Sequence, residues 1–208
     1  MPPRSLAPGI AVLALMSSAP ARAEQPAFGT VVRQEWIGAE VANLSFNLGS
    51  PPYGDDHPSR LQPGVGLQLR LFRHRWRNGP YWTPLQMGSY YGWGRDGDWT
   101  FFAGAQTEVG GVLRIGDQIL ELGLGAGFGM LAIRYGEINT SALVLGGLGL
   151  MASPVVRYLF REARSHTLGL VVRAEIPLSP PPESAEHPAY GGRGMLFLLG
   201  FDAGFGRS

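Results

Sequence analysis

Apolar and small or polar residues alternate with a period of two along most of this chain, and no other feature constrains its fold as strongly. The clearest example is residues 100–115, where Phe101 and Leu113 fall on one face and Glu108 and Arg114 fall on the other. Successive side chains of a β-strand point to opposite faces, so this pattern predicts strands. The same alternation recurs in residues 119–132, 168–178 and 195–205.

Eight strands are predicted from this alternation. They cover residues 31–48, 63–76, 80–92, 99–115, 118–133, 144–161, 166–178 and 193–206. Short connections alternate with longer ones, the short ones being residues 77–79, 116–117 and 162–165 and the longer ones 49–62, 94–98, 134–143 and 179–192. Short periplasmic turns, longer outside loops and an even strand number are typical of outer-membrane barrels. An even number also leaves both chain ends in the periplasm.

One segment allows two interpretations. Residues 138–156 are uncharged over the length of a membrane helix candidate. Gly146 and Gly149 make this a poor helix, because glycine disfavours helices. Alternation also returns within the segment, so we interpret residues 144–161 as a strand. Pro154 is the weakest point of this interpretation, since proline cannot donate a ladder hydrogen bond.

The amino-terminal residues 1–23 have the pattern of a cleaved signal peptide. Arg4 supplies the positive charge, residues 10–16 form an apolar core, and residues 21–23 have the small-x-small form of a cleavage site. That core is too short to span a bilayer as a helix. We therefore expect residues 24–208 to form one barrel domain. The chain has no cysteine, which excludes disulfides and cysteine zinc sites.

The strand spacing, the aromatic residues near strand ends and the final alternating strand, residues 195–205, give the chain a family resemblance. It resembles the small eight-stranded outer-membrane β-barrel proteins of Gram-negative bacteria, over nearly all of residues 27–208. Those families usually end on an aromatic residue, whereas here Phe205 is followed by three more residues. The resemblance implies an all-β fold, an eight-stranded antiparallel up-and-down transmembrane β-barrel in the cell outer membrane, preceded by a cleaved signal peptide.

The resemblance also implies outer-membrane lipid as the surroundings and the barrel-insertion machinery as a partner during biogenesis. We expect a monomer without a cofactor. Nucleic acid is not an expected partner, because the formal net charge of +1 offers no basic excess. Alternation alone does not say which face meets lipid. A charged fraction of only 16% favours the membrane over a water-exposed barrel surface.

With the apolar face toward lipid, eight charged residues are predicted to point into the lumen. They are Arg70, Glu108, Arg114, Glu121, Arg157, Arg173, Glu175 and Asp202. An eight-stranded barrel is just wide enough for side chains to fill it, and unpaired buried ions cost several kcal/mol. We therefore predict an ion-pair network that plugs the barrel, with Glu121 and Arg157 paired at the same height.

Aromatic side chains near the strand ends are predicted to form girdles at the two membrane interfaces. The predicted girdle residues are Tyr81, Tyr91, Trp93, Trp99 and Tyr158.

The sequence thus predicts an integral outer-membrane barrel with a plugged or narrow lumen and no enzymatic activity. Its role would be structural, adhesive or lipid-interacting, through the outside loops. Three alternatives stay open: a small-solute or ion pore, for which the inward glycines of residues 123–129 leave room; a lipid-modifying enzyme; and a soluble, lipocalin-like periplasmic barrel.

Three histidines lie in two candidate sites. Ser165 and His166 are a neighbouring nucleophile and base, but a periplasmic turn is the wrong place for chemistry on outer-leaflet lipid. His57 and His187 lie beside acidic residues in outside loops, yet their spacing matches no metal motif. We therefore expect neither a catalytic nor a metal site.

Overall fold

Eight strands make up the computed structural model, which describes residues 31–50, 59–76, 79–94, 97–116, 118–138, 141–178 and 193–207. The strands are β1 (Val31–Ser50), β2 (Ser59–Trp76), β3 (Pro80–Trp93), β4 (Trp99–Ile115), β5 (Gln118–Ile138), β6 (Ser141–Glu162), β7 (His166–Pro177) and β8 (Arg193–Arg207). The predicted signal peptide lies outside the described residues, as do His57 and His187.

Each strand pairs antiparallel with the next, and β8 pairs antiparallel with β1, so the sheet closes into a barrel. The predicted all-β, eight-stranded up-and-down fold is therefore confirmed. Closure leaves no sheet edge, which is what a strand-built protein needs in hydrocarbon. We call the end that carries the connections after β2, β4 and β6, together with the start of β1 and the end of β8, the turn end. The opposite end is the loop end.

The connection predicted for residues 134–143 is wrong. β5 continues to Ile138 and β6 begins at Ser141, and these two residues are register partners in a tight hairpin. The last β4 residue opposite β5 is Trp99, which pairs with Arg134. The β5–β6 hairpin therefore continues past β4 at the loop end.

The ambiguous segment is a strand. From Leu143 to Leu159, β6 runs in unbroken register with β5, with Pro154 opposite Leu124. On its other side the ladder with β7 joins Ala152 to Ile176 and Val155 to Arg173, with no pair between them. Pro154 thus lies in a gap of the β6–β7 ladder, where no hydrogen bond requires its missing N–H.

No helix among the described residues is long and apolar enough to cross a membrane.

The apolar face of the alternation points outward. Leu122 and Leu170 are 51% and 41% exposed on the outer wall, and Phe201 is 57% exposed there. The charged face points inward, where six arginines and seven carboxylates are buried among the described residues. This is the arrangement of a barrel that meets lipid. A lipocalin-like barrel needs the reverse arrangement, so the structure contradicts that alternative.

Local irregularities in β1 and β2 change which residues point inward. At Asn43 the β1 register slips against both neighbouring strands, so Ala42 is buried rather than outward as the alternation predicted. At Phe72 the backbone has a φ of 56°, an uncommon conformation for a bulky residue. Beyond Phe72 the side chains of Arg73 and Arg75 turn into the lumen. The inward face of β2 thus changes at Phe72, while its register with β1 and β3 is kept.

Candidate functional site

The charged lumen is the candidate site, and seven of its eight predicted residues have buried side chains. These are Arg70, Glu108, Glu121, Arg157, Arg173, Glu175 and Asp202, each 1% exposed or less. They come from β2, β4, β5, β6, β7 and β8, so barrel closure is what brings them together.

The prediction that Arg114 points into the lumen is wrong. Its side chain is 46% exposed at the turn end, where its Nη2 lies 3.1 Å from Glu162 Oε2. The last residues of β4, 113–115, are all exposed. The end of this strand therefore extends past the filled part of the lumen, and alternation no longer separates inside from outside there.

Glu40 is the centre of the network, and the sequence reasoning missed it. Its carboxylate accepts hydrogen bonds from Arg70 Nη1 at 3.0 Å, Arg157 Nε at 2.9 Å and Arg173 Nε at 3.0 Å. The bulge at Asn43 hid it, because alternation counted back from β1 residues 44–48 places Glu40 on the wrong face. The sequence does contain one signal for it. Glu40 is an acid that stands between two apolar residues, Ala39 and Val41, and an acid is not expected to face lipid.

Glu108 is the second carboxylate of the core. It accepts from Arg157 Nη2 and Arg173 Nη2, both at 2.8 Å, and from the Tyr81 hydroxyl at 2.8 Å. Two arginines therefore bridge Glu108 and Glu40 across the lumen. Charge-assisted hydrogen bonds of this kind are roughly twice as strong as neutral ones.

Asp202 joins the core across the seam where the barrel closes. It lies directly opposite Glu40 in the β1–β8 ladder, and like charges so placed repel each other. Arg70 bonds to both carboxylates, and Arg157 Nε lies 3.4 Å from Asp202 Oδ1. The two arginines thereby compensate a repulsion that the strand register imposes.

Glu175 is held mainly by neutral groups. It accepts hydrogen bonds from Gln68 Nε2 at 3.1 Å and from the Ser153 hydroxyl, while Arg173 Nε lies 4.0 Å away. Gln86 donates to Gln68 Oε1 at 2.7 Å. These amides extend the core network around the barrel wall.

A second ionic cluster fills the lumen at the turn end. Its members are Arg33, Glu35, Arg73, Arg75, Glu121 and Glu162. Arg33 Nη1 also donates to the Ala163 carbonyl at 2.8 Å, which fixes the β6–β7 turn to β1.

The predicted pair of Glu121 and Arg157 is wrong as a side-chain contact. The two residues are register partners at the same height, as expected. However, Glu121 bonds to Arg73 and lies 3.6 Å from Arg75, whereas Arg157 turns toward Glu40 and Glu108. Both side chains point across the lumen instead of along the ladder.

A double-mutant cycle tests this assignment. We expect Glu121→Gln and Arg73→Met to show a coupling of about 1–3 kcal/mol in unfolding free energy, as for residues in one ionic network. The cycle of Glu121→Gln with Arg157→Met should give less than about 0.5 kcal/mol. Urea unfolding in detergent micelles measures both, and the reverse order of couplings would contradict the contacts described.

Apolar side chains close the lumen toward the loop end. They are Ala42, Tyr90, Phe102, Leu131, Ile133, Met151, Leu196 and Leu198. Beyond them Asn47 Nδ2 donates to Gln62 Oε1 at 2.9 Å and contacts the Thr100 hydroxyl. The lumen therefore has two ionic layers, an apolar layer and a small neutral polar layer.

An internal cavity lies between the ionic core and the apolar layer. It is lined by Glu40, Gln68, Tyr90, Arg173 and Leu198 among others, and it has a volume of about 10 Å³. This is the space of roughly a single water molecule. The side chains that line this cavity therefore leave little free space between the two layers.

The inward glycines of β5 make room for side chains from other strands. A Cβ at Gly123 would overlap the Tyr81 hydroxyl, one at Gly125 would meet Gln106, and one at Gly129 would lie 3.2 Å from Met151. The glycines thus accommodate side chains from β3, β4 and β6.

The five predicted girdle residues are placed differently from one another. Tyr91 and Trp93 are about half exposed near the loop end and stack with ring centroids 6.3 Å apart. Trp99 and Tyr158 are partly buried. Tyr81 is only 1% exposed and lies inside, with Arg73 4.1 Å above its ring. The next residue, Trp82, takes the outward position, because the β3–β4 register slips between Thr83 and Gln86 and reverses the two faces of β3.

The histidine at the β6–β7 turn has a short contact with its neighbour. Ser165 Oγ lies 3.3 Å from His166 Nδ1, and Ser165 is exposed. No carboxylate of the described residues forms an ion pair with His166. A nucleophile and base of this kind normally require a third group that orients the base.

Comparisons with known proteins identify the fold. No protein-family model and no curated protein sequence matches the chain. Among solved structures, Neisserial surface protein A (NspA) is similar with a TM-score of 0.50 and 7% identity, covering 83% of this chain and 97% of that one. Ail, the attachment invasion locus protein of Yersinia pestis, solved with the heparin analogue sucrose octasulfate, gives 0.39 and 13% over the same shares. The resemblance to small eight-stranded outer-membrane barrels is confirmed for the fold.

Proposed function

We propose that this chain is an integral outer-membrane β-barrel whose lumen is closed by its own side chains. Its role is then structural, adhesive or lipid-interacting and is carried by surfaces outside the lumen. The observation that supports this proposal most directly is the packing of side chains in the lumen. Two layers of ion pairs and one apolar layer lie in the described part of the lumen, and the cavity between the ionic core and the apolar layer has a volume of about 10 Å³.

The ionic layers also support a closed lumen. Arg157 and Arg173 each bond to both Glu40 and Glu108, so moving one of them would break its bonds to both acids and leave the buried negative charge undercompensated. Breaking a buried pair in this way costs about 3–5 kcal/mol. A conducting path through the core would have to meet that cost at every opening.

Planar bilayer recording tests the closed lumen. We expect the purified barrel to show no stable single-channel openings over minutes, while an open porin in the same bilayers serves as the positive control. Reproducible unitary openings would contradict the plug and favour the pore. A variant with Arg157, Arg173 and Glu108 all replaced by glycine provides a matched comparison, and we expect it to conduct if it folds.

Fractionation tests the membrane placement separately. The barrel is expected in the outer-membrane fraction and should migrate faster on a gel before boiling than after it. Recovery in the soluble periplasmic fraction would contradict the proposal. Mass spectrometry of outer-leaflet lipid from cells with and without the protein tests the enzyme alternative, for which an unchanged lipid profile is expected.

A further inference from the structure

The outer, lipid-facing wall carries a groove near the turn end. It runs across β6, β7, β8 and β1 and has a volume of about 270 Å³. Its apolar lining consists of Ala39, Val41, Phe160, Leu168, Phe201 and Ala203. Ala39 and Ala203 are register partners whose small side chains form the floor. Asp202 also borders the groove, but its carboxylate is buried against Arg70.

A bulge in β6 places a charge beside this groove. Leu159 pairs with Gly169 and Arg161 with Leu168, which leaves Phe160 as the extra residue. Phe160 and Arg161 are both exposed, whereas Leu159 on one side of them is buried in the lumen. Bulges commonly redirect a side chain in this way. Here the bulge puts a guanidinium next to an aromatic wall of the groove.

Two more arginines lie where the β6–β7 turn meets the end of β8, a region that we call the corner. Arg164 lies in the β6–β7 turn and Arg207 near the end of β8, and both are exposed. The Gly206 N–H donates to the Ser165 carbonyl at 3.0 Å, so the turn lies against the end of β8. Arg207 is four residues beyond Ala203, which is about 13 Å along a strand. In a phospholipid molecule, the phosphate and the upper part of an acyl chain are separated by a similar distance.

The corner carries positive charge without local compensation. Arg161, Arg164 and Arg207 form no ion pair with any residue that the structure describes. The acid nearest in sequence, Glu162, is engaged with Arg75 and with Arg114 at 3.1 Å. Among the described residues of the turn end no carboxylate is exposed, because Glu35, Glu108 and Glu121 are buried.

We propose that this groove and the three arginines bind one anionic glycerophospholipid. Its phosphate lies against Arg161, Arg164 and Arg207, and one acyl chain lies along Ala39 and Ala203. Guanidinium groups suit phosphate because their planar fork donates two parallel hydrogen bonds. The inference rests on the membrane placement proposed above, and it locates the lipid in the leaflet at the turn end.

Native mass spectrometry of the folded barrel tests the head-group site. Phosphatidylglycerol and phosphatidylcholine with identical acyl chains are added to the protein in detergent. We expect one phosphatidylglycerol to bind at least tenfold more tightly than phosphatidylcholine. The triple variant R161Q/R164Q/R207Q should lose this preference. R114Q removes another exposed arginine from the same end, and it should leave the affinity within twofold.

A second pair of variants tests the groove. Filling it with Ala39→Leu and Ala203→Leu should weaken phosphatidylglycerol binding at least fivefold. Ala105→Leu with Ala126→Leu, at outward positions of β4 and β5, is the matched control and should have no effect. Equal binding of the two lipids, a preference that survives the triple variant, or full affinity in the filled groove would each overturn the site.

The gel shift on boiling separates this outcome from failure of the proposed function. The gel shift of each variant is measured before lipid is added. If the barrel is folded and membrane-inserted but shows no lipid preference, only the proposed lipid site is overturned. A wild-type chain found in the soluble fraction overturns the membrane placement as well.

Discussion

Replacing Arg157 with methionine is expected to destabilise the folded barrel by about 3–5 kcal/mol, the cost of leaving buried carboxylates uncompensated. The Arg157 side chain is fully buried and reaches three acids, with atoms 2.9 Å from Glu40, 2.8 Å from Glu108 and 3.4 Å from Asp202. Only Arg70 and Arg173 would remain to balance these carboxylates. Urea unfolding in detergent micelles, followed by tryptophan fluorescence, measures the change.

Arg114→Met is the matched control for this prediction. It removes the same side chain from an exposed position with one partner, Glu162, and should cost less than about 1 kcal/mol. Adding Glu40→Gln to Arg157→Met should recover part of the lost stability, since a neutral amide is cheaper to bury than an unpaired carboxylate. Equal effects of the two arginine variants would show that the core network does not hold the barrel together.

Replacing Gly123 with alanine is expected to cost about 1–3 kcal/mol, although the change adds a single methyl group. The new Cβ would overlap the Tyr81 hydroxyl and lie 3.0 Å from Val155 Cγ1. Tyr81 is fixed by its hydrogen bond to Glu108 and by Arg73 above its ring, so it cannot move away easily. The temperature at which the gel shift is lost, together with urea unfolding, measures the cost.

Two further variants make this prediction specific. Gly111→Ala adds the same methyl group where no atom lies within 4 Å, and it should be neutral or slightly stabilising. In a Tyr81→Phe background the cost of Gly123→Ala should fall by about 1 kcal/mol or more, because the overlapping hydroxyl is gone. A cost that is unchanged in that background would contradict the close packing of Tyr81 on β5.

The strands of the barrel were largely predictable because their pattern is local. Each β-strand residue points to the face opposite its neighbours, so a run such as β7 reveals its two faces without reference to any other strand. β3 and β4 begin where predicted, at Pro80 and Trp99. β5 and β6 were predicted too short at the loop end, because glycines and small residues there weaken the alternation.

The sequence predicted the type of candidate site, a charged lumen, but not which side chains are in contact there. Low charge and a polar face indicated a plugged lumen, and seven of the eight residues named for it are buried there. Glu40 was missed because the bulge at Asn43 reverses inside and outside for residues 37–42, up to a second irregularity between Glu35 and Ile37 that restores the earlier phase. Tyr81 was misplaced because the β3–β4 register slips between Thr83 and Gln86, and Arg114 was misplaced because it lies at the exposed end of β4.

By itself the sequence determined that this chain forms strands with one apolar and one polar face, because a period of two is a property of neighbouring residues. Only the tertiary structure decided which charges meet. Glu121 and Arg157 are register partners, yet each bonds to a residue from a distant strand. Long side chains in a narrow closed barrel reach across the lumen, so their partners depend on how the bulges and the closure of the sheet set the height of every strand.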